Sequence, residues 1–384
     1  MGGGEIALLN LVRNLDTKKL EAVVLLGAEG SLADLLREEI ETYVLPLDRR
    51  VATIKKDSLG IATLLQISSI FKTMSYILRV TSFIIRQKIT IIHTNSLKAD
   101  IIGGIAGRLA RRPVVWHVRD RIEKDYLPAK TVRIFRILCR WIPNYVIANS
   151  AATLKTLRLN GKKGATSIAS GLDLKSHVHV VHDGTEVVAS RVRLPLTSEQ
   201  FRIGLIGRIS PWKGQHIFLE AAARVRERFP KAIFLIIGAA LFDETAYEQQ
   251  IRQLSTKLKL DDTVLFTGFC NNIKDAIAGL DLVVHASTTG EPFGQVIIEG
   301  MAAGKAVVAT NGGGVPEIVE DGKTGVLVPM GDVQAMADAI CQVLSNPALA
   351  REMGMRAKER IERDFTIQQT ARKVEAVYAQ ILPH

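Results

Sequence analysis

A chain of 384 residues, 47% hydrophobic and 5% aromatic, is too long for one ordinary core and fits two domains of typical size. Its three cysteines, Cys139, Cys270 and Cys341, are odd in number, widely spaced and without a C-x-x-C pair, which argues against a disulfide framework or a structural zinc site and for a reducing compartment. The net charge of +11 is uneven: residues 1–195 hold 30 Lys and Arg against 17 Asp and Glu, and residues 196–384 hold 20 against 22, so the basic half suits a polyanion, an anionic bilayer, a phosphorylated substrate or plain solubility, and a nucleic-acid partner is not expected.

The chain opens "MGGGEIALLNLVRNL", with no basic leader region, and no apolar run reaches about 18 residues without a charge, so a cytoplasmic location is expected. A glycine turn at Gly2, Gly3 and Gly4 that runs into an apolar helix normally follows a strand. Here nothing precedes it, and the first strand of the domain is expected to be missing. Strands are then predicted at "EAVVLL", "TYVLPL", "TIIHTN", "PVVWHV", "NYVIANS" and "HVHVVHDG", separated by helical periodicity, which is the pattern of βαβ units on a parallel sheet. Within this series Ile61 to Lys88 is an amphipathic helix: Lys72, Arg79 and Arg86 line one face and Ile70, Ile77 and Ile84 lie nearly opposite. It reads either as a sheet-packed helix with a solvated basic stripe or as an interfacial helix, helped by "RRVATIKK" upstream. The two readings are compatible.

After the polar stretch "GTEVVASRVRLPLTSEQ", a second series is predicted at "FRIGLIG", "AIFLIIG", "TVLFTG", "LDLVVHAS", "KAVVAT" and "TGVLVP", and residues from about 332 read as helices only. The expected fold is α/β, two doubly wound Rossmann-like domains: residues 1–190, residues 196–370, and a C-terminal helix at 371–384 that packs back toward the first domain. In "IGLIGRISPWKGQHIFLEAA" a strand ends at Gly207 and a helix starts near Gly214, which places Arg208 and Lys213 at a strand end beside a helix N-terminus, a diphosphate site or an ordinary charged loop. "STTGEPFGQVIIEGMAAG" puts Glu291 on a loop and Glu299 a turn and a half into the following helix, with donor amides around Phe293, Gly294 and Gln295. Glu299 sits among Ile298, Met301, Ala302 and Ala303, a buried context in which an unpaired carboxylate is costly.

Gly207-Arg208 with Lys213-Gly214, the two glutamates eight positions apart in "EPFGQVIIEGMAAG", and "TNGGGVPEIVEDGKTGVLVP" resemble the retaining nucleotide-sugar glycosyltransferases of family 4, whose GT-B fold sets two such domains across a cleft. The resemblance implies that Glu299 holds the ribose hydroxyls, Arg208 and Lys213 the diphosphate, and Glu291 with the backbone of Phe293 and Gly294 the donor sugar. It further implies that Gly3 and Gly4 form a glycine loop facing donor phosphates or acceptor, and that His117, in "PVVWHVRDR", lies near the donor sugar. Asn149 and Ser150 in "VIANS", and His93 in "IIHTN", are weaker candidates at other strand ends. No Asp-x-Asp pair appears, so no metal and no cofactor are expected; the nucleotide sugar enters as substrate. A lipid-linked glycan in cell-surface polysaccharide assembly is the expected acceptor, and an anionic membrane surface the expected peripheral partner. The donor base, UDP before GDP, depends on the loops at 239–244 and 268–272. A GT-B nucleotide-sugar epimerase or a non-catalytic product is the alternative; given the missing strand, the natural start is expected upstream of Met1, or the chain is weakly stable and poorly active.

Overall fold

The computed structural model describes residues 2–47, 67–174, 200–241, 244–270 and 272–382, and these form two compact units, Met1–Gly171 with Ile367–His384, and Leu172–Thr366. The boundary expected near residues 186–200 and the strand expected at "HVHVVHDG" lie outside the described residues, as do "RRVATIKK" and the side chain of Ile70.

The first unit opens on α1 (Gly3–Arg13), followed by β1 (Val23–Leu26), α2 (Ser31–Arg37), β2 (Glu41–Val44), α3 (Ile67–Arg86), β3 (Ile92–Thr94), α4 (Leu97–Leu109), β4 (Val114–Val118), α5 (Ala129–Trp141), β5 (Tyr145–Ala148), α6 (Ala151–Thr156) and β6 (Ala165–Ser167). Every residue of β4 is buried, because helices cover both faces of a parallel sheet. Among the described residues the strands of this unit form two parallel sheets, β1-β2 and β3-β4-β5-β6. Among the described residues, helices rather than ladder hydrogen bonds join the two sheets. On one side Leu9 of α1 packs with Val24 and Leu36 while Leu11 packs with Val115 and Ile147; on the other, Tyr76, Ile77, Val80 and Ile84 of α3 pack with Leu25 and Ile92. β6 was not predicted: three small residues after a glycine carry no apolar period.

The second unit runs β7 (Arg202–Ile206), α7 (Gln215–Arg228), β8 (Ile233–Ile237), α8 (Thr245–Lys257), β9 (Val264–Gly268), α9 (Ile273–Ala278), β10 (Leu282–His285), α10 (Gln295–Ala302), β11 (Ala306–Thr310), α11 (Val315–Ile318), β12 (Val326–Val328), α12 (Val333–Ser345) and α13 (Pro347–Asp364). Its parallel sheet has the order β12-β11-β10-β7-β8-β9. The chain builds outward from β7 to β9 and then returns to start again at β10, so the strand order reverses between β7 and β10. Open α/β sheets bind ligands at the carboxyl ends of strands at such a switch point.

A last helix, α14 (Ile367–Ile381), belongs to the first unit: Ala371, Val374, Val377 and Tyr378 join the cluster of Leu11, Val115 and Ile147.

Candidate active site

Both loops at the switch point carry the predicted residues. After β7, Gly207 and Arg208 lead to a turn of 3-10 helix at Pro211–Lys213, and after β10 the loop runs through Ser287 and Glu291 to α10. The Thr288 amide donates to the Trp212 carbonyl at 2.8 Å, so each loop fixes the height of the other. Lys213 Nζ lies 4.2 Å from the centroid of the Trp212 ring and donates to Glu291 Oε2 at 2.8 Å.

Glu291 is held from several sides at once. Its Oε2 also accepts from Ser287 Oγ at 3.1 Å and lies 3.2 Å from His285 Nε2, while Ser287 Oγ lies 2.9 Å from that same nitrogen. Thr310, at the end of β11, stands 3.2 Å from His285 Nδ1 and donates to the Ser287 carbonyl at 3.0 Å. Burial opposes ionisation of Glu291, yet the Lys213 charge and the His285 contact hold its carboxyl well below the usual carboxylate range. Its backbone is fixed too. The Gly314 amide donates to the Glu291 carbonyl at 2.8 Å, and Gly313, at φ 64°, leaves no room for a β-carbon, which would stand 1.9 Å from that oxygen.

Glu299 is the opposite case. It lies one turn into α10, its Oε1 accepts from Gln295 Nε2 at 3.4 Å, and burial pushes its carboxyl up to about 7 against that hydrogen bond and the charge of Lys274. Two glutamates eight positions apart therefore differ in what surrounds them: one is already compensated, the other is left short of donors. Among the described residues the amides of Phe293, Gly294 and Gln295 find no acceptor, which leaves donors at the start of α10 beside Glu291. Arg208 Nε lies 3.2 Å from Glu244 Oε2, so each of the two predicted cations has a carboxylate beside it. Phe242, Asp243 and Asn271, in the loops expected to face the base, lie outside the described residues.

In the first unit, Gly3 and Gly4 open α1, and the Gly4 carbonyl accepts from Asn95 Nδ2 at 2.8 Å. His117 is fully buried near the end of β4, with His93 Nε2 at 3.1 Å and Arg119 Nη2 at 3.4 Å from its Nδ1. Asn149 is buried and donates to the Arg119 carbonyl at 3.3 Å; Ser150 caps α6 by accepting from the Thr153 amide at 2.9 Å, a structural role. Sequence reasoning did not single out His285, Ser287, Thr310, Arg119 or Tyr378. "HAS" at a strand end was the available signal for the first two; the others come from distant parts of the chain.

Residues 189–360 match the family model described as glycosyl transferases group 1, and residues 1–176 match that of glycosyltransferase family 4. The chain belongs to the group 1, family 4 glycosyltransferases of the GT-B class. The crystal structure of Anabaena Alr3699/HepE in complex with UDP-glucose is similar to this glycosyltransferase with a TM-score of 0.83 and 27% identity, over 99% of this chain and 97% of that one. An Escherichia coli enzyme, the UDP-Gal:alpha-D-GlcNAc-diphosphoundecaprenol alpha-1,3-galactosyltransferase, is 22% identical over 96% of this chain and 91% of its own length. Bacillus subtilis YtcC is 29% identical over 56% of this chain, and the match spans about half, 54%, of that relative.

Proposed function

We propose that this glycosyltransferase moves a sugar, with retention of configuration at C1, from a uridine diphosphate sugar to a hydroxyl of a lipid-linked glycan in cell-surface polysaccharide assembly; GDP is the second choice of nucleotide. The observation that carries the reading is the pair of unlike glutamates at the switch point. Glu299, short of donors, suits the vicinal hydroxyls of a ribose, and Glu291, held by Lys213, His285 and Ser287, suits a group that keeps its charge and place beside the sugar. Arg208 and Lys213 would share their charge with the diphosphate, and the amides of Phe293 and Gly294 would reach the sugar. In the reaction the bond from C1 to the diphosphate oxygen breaks while the acceptor oxygen bonds to C1 from the same face. The acceptor proton passes to the departing phosphate, and the cations stabilise the charge developing on that leaving group. UDP-glucose in the similar Anabaena structure and the UDP-galactose donor named for the E. coli relative support the choice of uridine.

The test is thermal shift with nucleoside diphosphates and their sugars, on the wild type, Lys213→Ala and Glu299→Gln. A rise of several degrees for a uridine compound, lost in Lys213→Ala, is the expected result. Because the hydroxyls need the ionised carboxylate, binding to the wild type weakens as pH falls from about 8 to about 6, through the Glu299 value of about 7. Glu299→Gln removes that pH dependence while keeping whatever arises from the nucleotide itself. No shift for any nucleotide defeats the donor site, and conversion of a nucleotide sugar to its epimer without an acceptor would favour the epimerase.

Support for a membrane-bound acceptor comes from two helices of the basic half. On α3 the exposed Phe71, Met74, Leu78 and Ile85 lie among exposed Lys72, Arg79 and Arg86, with Ile77 and Ile84 buried opposite; on α5 the exposed Ile134, Ile137 and Trp141, the last 77% exposed, lie among Lys130, Arg133 and Arg140. Apolar side chains rimmed by cations suit the interface of an anionic bilayer. Among the described residues no helix is long and apolar enough to cross a membrane. Sedimentation with anionic vesicles should deplete the protein from solution at low salt and do so less at high salt, with Trp141→Ser weakening it at both. Failure to sediment at low salt removes the membrane from the proposal.

A further inference from the structure

The loop Glu291–Gly294 carries the Glu291 carboxylate and the amides of Phe293 and Gly294. Glu291 is fixed by its own partners, but the two amides belong to buried residues and have no acceptor among the described residues. A loop with unmet donors relaxes toward any acceptor in reach unless other contacts hold it. The end of α13 supplies such contacts, at two points. Arg360, its side chain 17% exposed, donates from Nε to the Ile318 carbonyl at 2.7 Å and from Nη2 to the Glu317 carbonyl at 3.0 Å, the last two carbonyls of α11, while Nη1 pairs with Glu320. The fully buried Ile318 packs against Gly294: a β-carbon there would lie 3.2 Å from Ile318 Cδ1. Phe365, the residue after α13, packs its ring on Phe293 with centroids 6.3 Å apart and planes at 48°, and its carbonyl accepts from the Leu172 amide at 2.8 Å. The Arg360 guanidinium stands 5.8 Å from the centroid of the Phe365 ring and so joins the two contacts. Among the described residues neither Arg360 nor Phe365 bonds to Arg208, Lys213 or Glu299.

We infer that Arg360 and Phe365 are positioning residues for the donor sugar: they hold Phe293 and Gly294 in one conformation, so that the two amides stay aimed at the sugar, while the subsite for the nucleotide is built without them. Donors fixed in advance need no reorganisation when the substrate arrives. An arginine suits this place because its planar fork meets two carbonyls and lies over a ring at the same time, which the single ammonium of a lysine does not do. The contacts lie within the second unit, so the hold on the loop is complete there. The identity of the sugar as ligand rests on the glycosyltransferase reading; the hold on the loop does not, and it is measured without any ligand.

Two variants test the inference beside a control. Phe365→Leu keeps the place apolar and takes the ring from Phe293, Arg360→Lys keeps the charge and loses the fork, and Phe234→Leu removes a buried ring of β8 that packs on Phe218. Phe293-Gly294 is the one Phe-Gly step in the sequence, so isotope labels on the Phe carbonyl carbon and the Gly nitrogen single out the Gly294 amide in the spectrum of the full chain. Without ligand that signal should be single and sharp in the wild type and in Phe234→Leu, and broadened or doubled in the two loop variants. In titrations with UDP, UDP-glucose and UDP-galactose, the loop variants should lose about tenfold in affinity for the sugar nucleotide, the worth of one hydrogen bond. Their affinity for UDP should change by no more than about twofold, as for sites that do not couple. Phe234→Leu should lower Tm and leave the ratio of the two affinities alone. An unaltered Gly294 signal in both loop variants, or equal losses for UDP and sugar nucleotide, overturns the inference, because a purely structural contact gives either result. If the signal changes as stated and the wild type binds neither sugar nucleotide, the hold on the loop stands and its assignment to a sugar falls.

Discussion

Lys213→Ala should lower kcat by about 10²–10³-fold, because it removes a preorganised charge from the leaving diphosphate. The same substitution strands Glu291. Its carboxylate is held in a buried setting by Lys213 at 2.8 Å, with His285 and Ser287 alongside, and removing one partner of such a pair leaves an uncompensated charge. Stability should fall with activity, and the fall should depend on pH in a defined sense. In the wild type the folded-state pKa of Glu291 lies below its ordinary 4.5, so the carboxylate contributes stability above that value and loses it as pH falls toward the folded value. Lys213→Ala raises the folded value and shrinks the contribution, so the gap in Tm between the two proteins should be widest near neutral pH and narrow in acid. Lys213→Ala with Glu291→Gln separates the two roles: the neutral amide needs no counter-ion, so the double variant should regain much of the lost Tm while transfer stays low. Recovery of both would assign Lys213 to structure alone; recovery of neither would mean that Lys213 stabilises the loop by more than its pairing with Glu291.

Gly313→Ala should be comparably damaging for a different reason. At φ 64° an alanine is strained on its own account, by about 1–3 kcal/mol. In addition its β-carbon would stand 1.9 Å from the Glu291 carbonyl oxygen and 2.6 Å from the Glu291 amide, both backbone atoms that cannot turn aside. The loop must move, and a displacement of about 1 Å at a reacting group can cost on the order of 10²-fold in rate. Gly322→Ala is the control, since Gly322 has φ 70° with nothing near its would-be β-carbon. Gly322→Ala should lower Tm modestly and leave kcat alone; Gly313→Ala should lower Tm further and lose transfer. Equal effects from the two would show that the contact with Glu291 is not what the glycine is for.

The second unit was legible strand by strand because each of its strands is a short, mainly apolar run bounded by polar or glycine turns. "AIFLIIG" and "LDLVVHAS" became β8 and β10, and "TGVLVP" became β12. The first unit was read less completely: β6 is too short and too small to carry a period, and "HVHVVHDG" falls outside the described residues. On α3 the predicted opposition of Arg79 and Ile77 is present, but periodicity did not announce that Phe71, Leu78 and Ile85 share the cations' exposed side. Alternation shows which face a helix buries; it does not count the apolar residues left over.

From residues alone came the α/β class, the glutamate pair in its loop and helix, the cations after β7, and the concentration of positive charge in the first half. These are properties of neighbours in the chain: a strand, a turn and a helix N-terminus lie within about twenty residues, so their chemistry is written locally. Tertiary structure decided what the two glutamates are. Glu291 owes its low proton affinity to Lys213, 78 positions away, and to His285 on the strand before it, while Glu299 owes its raised value to burial with few donors. It also set His117 beside an arginine two residues on and beside His93, which in turn meets a tyrosine of the last helix. Proton affinity and hydrogen-bond direction depend on distances of about 3 Å between groups that the sequence separates by tens or hundreds of residues, and only folding sets those distances.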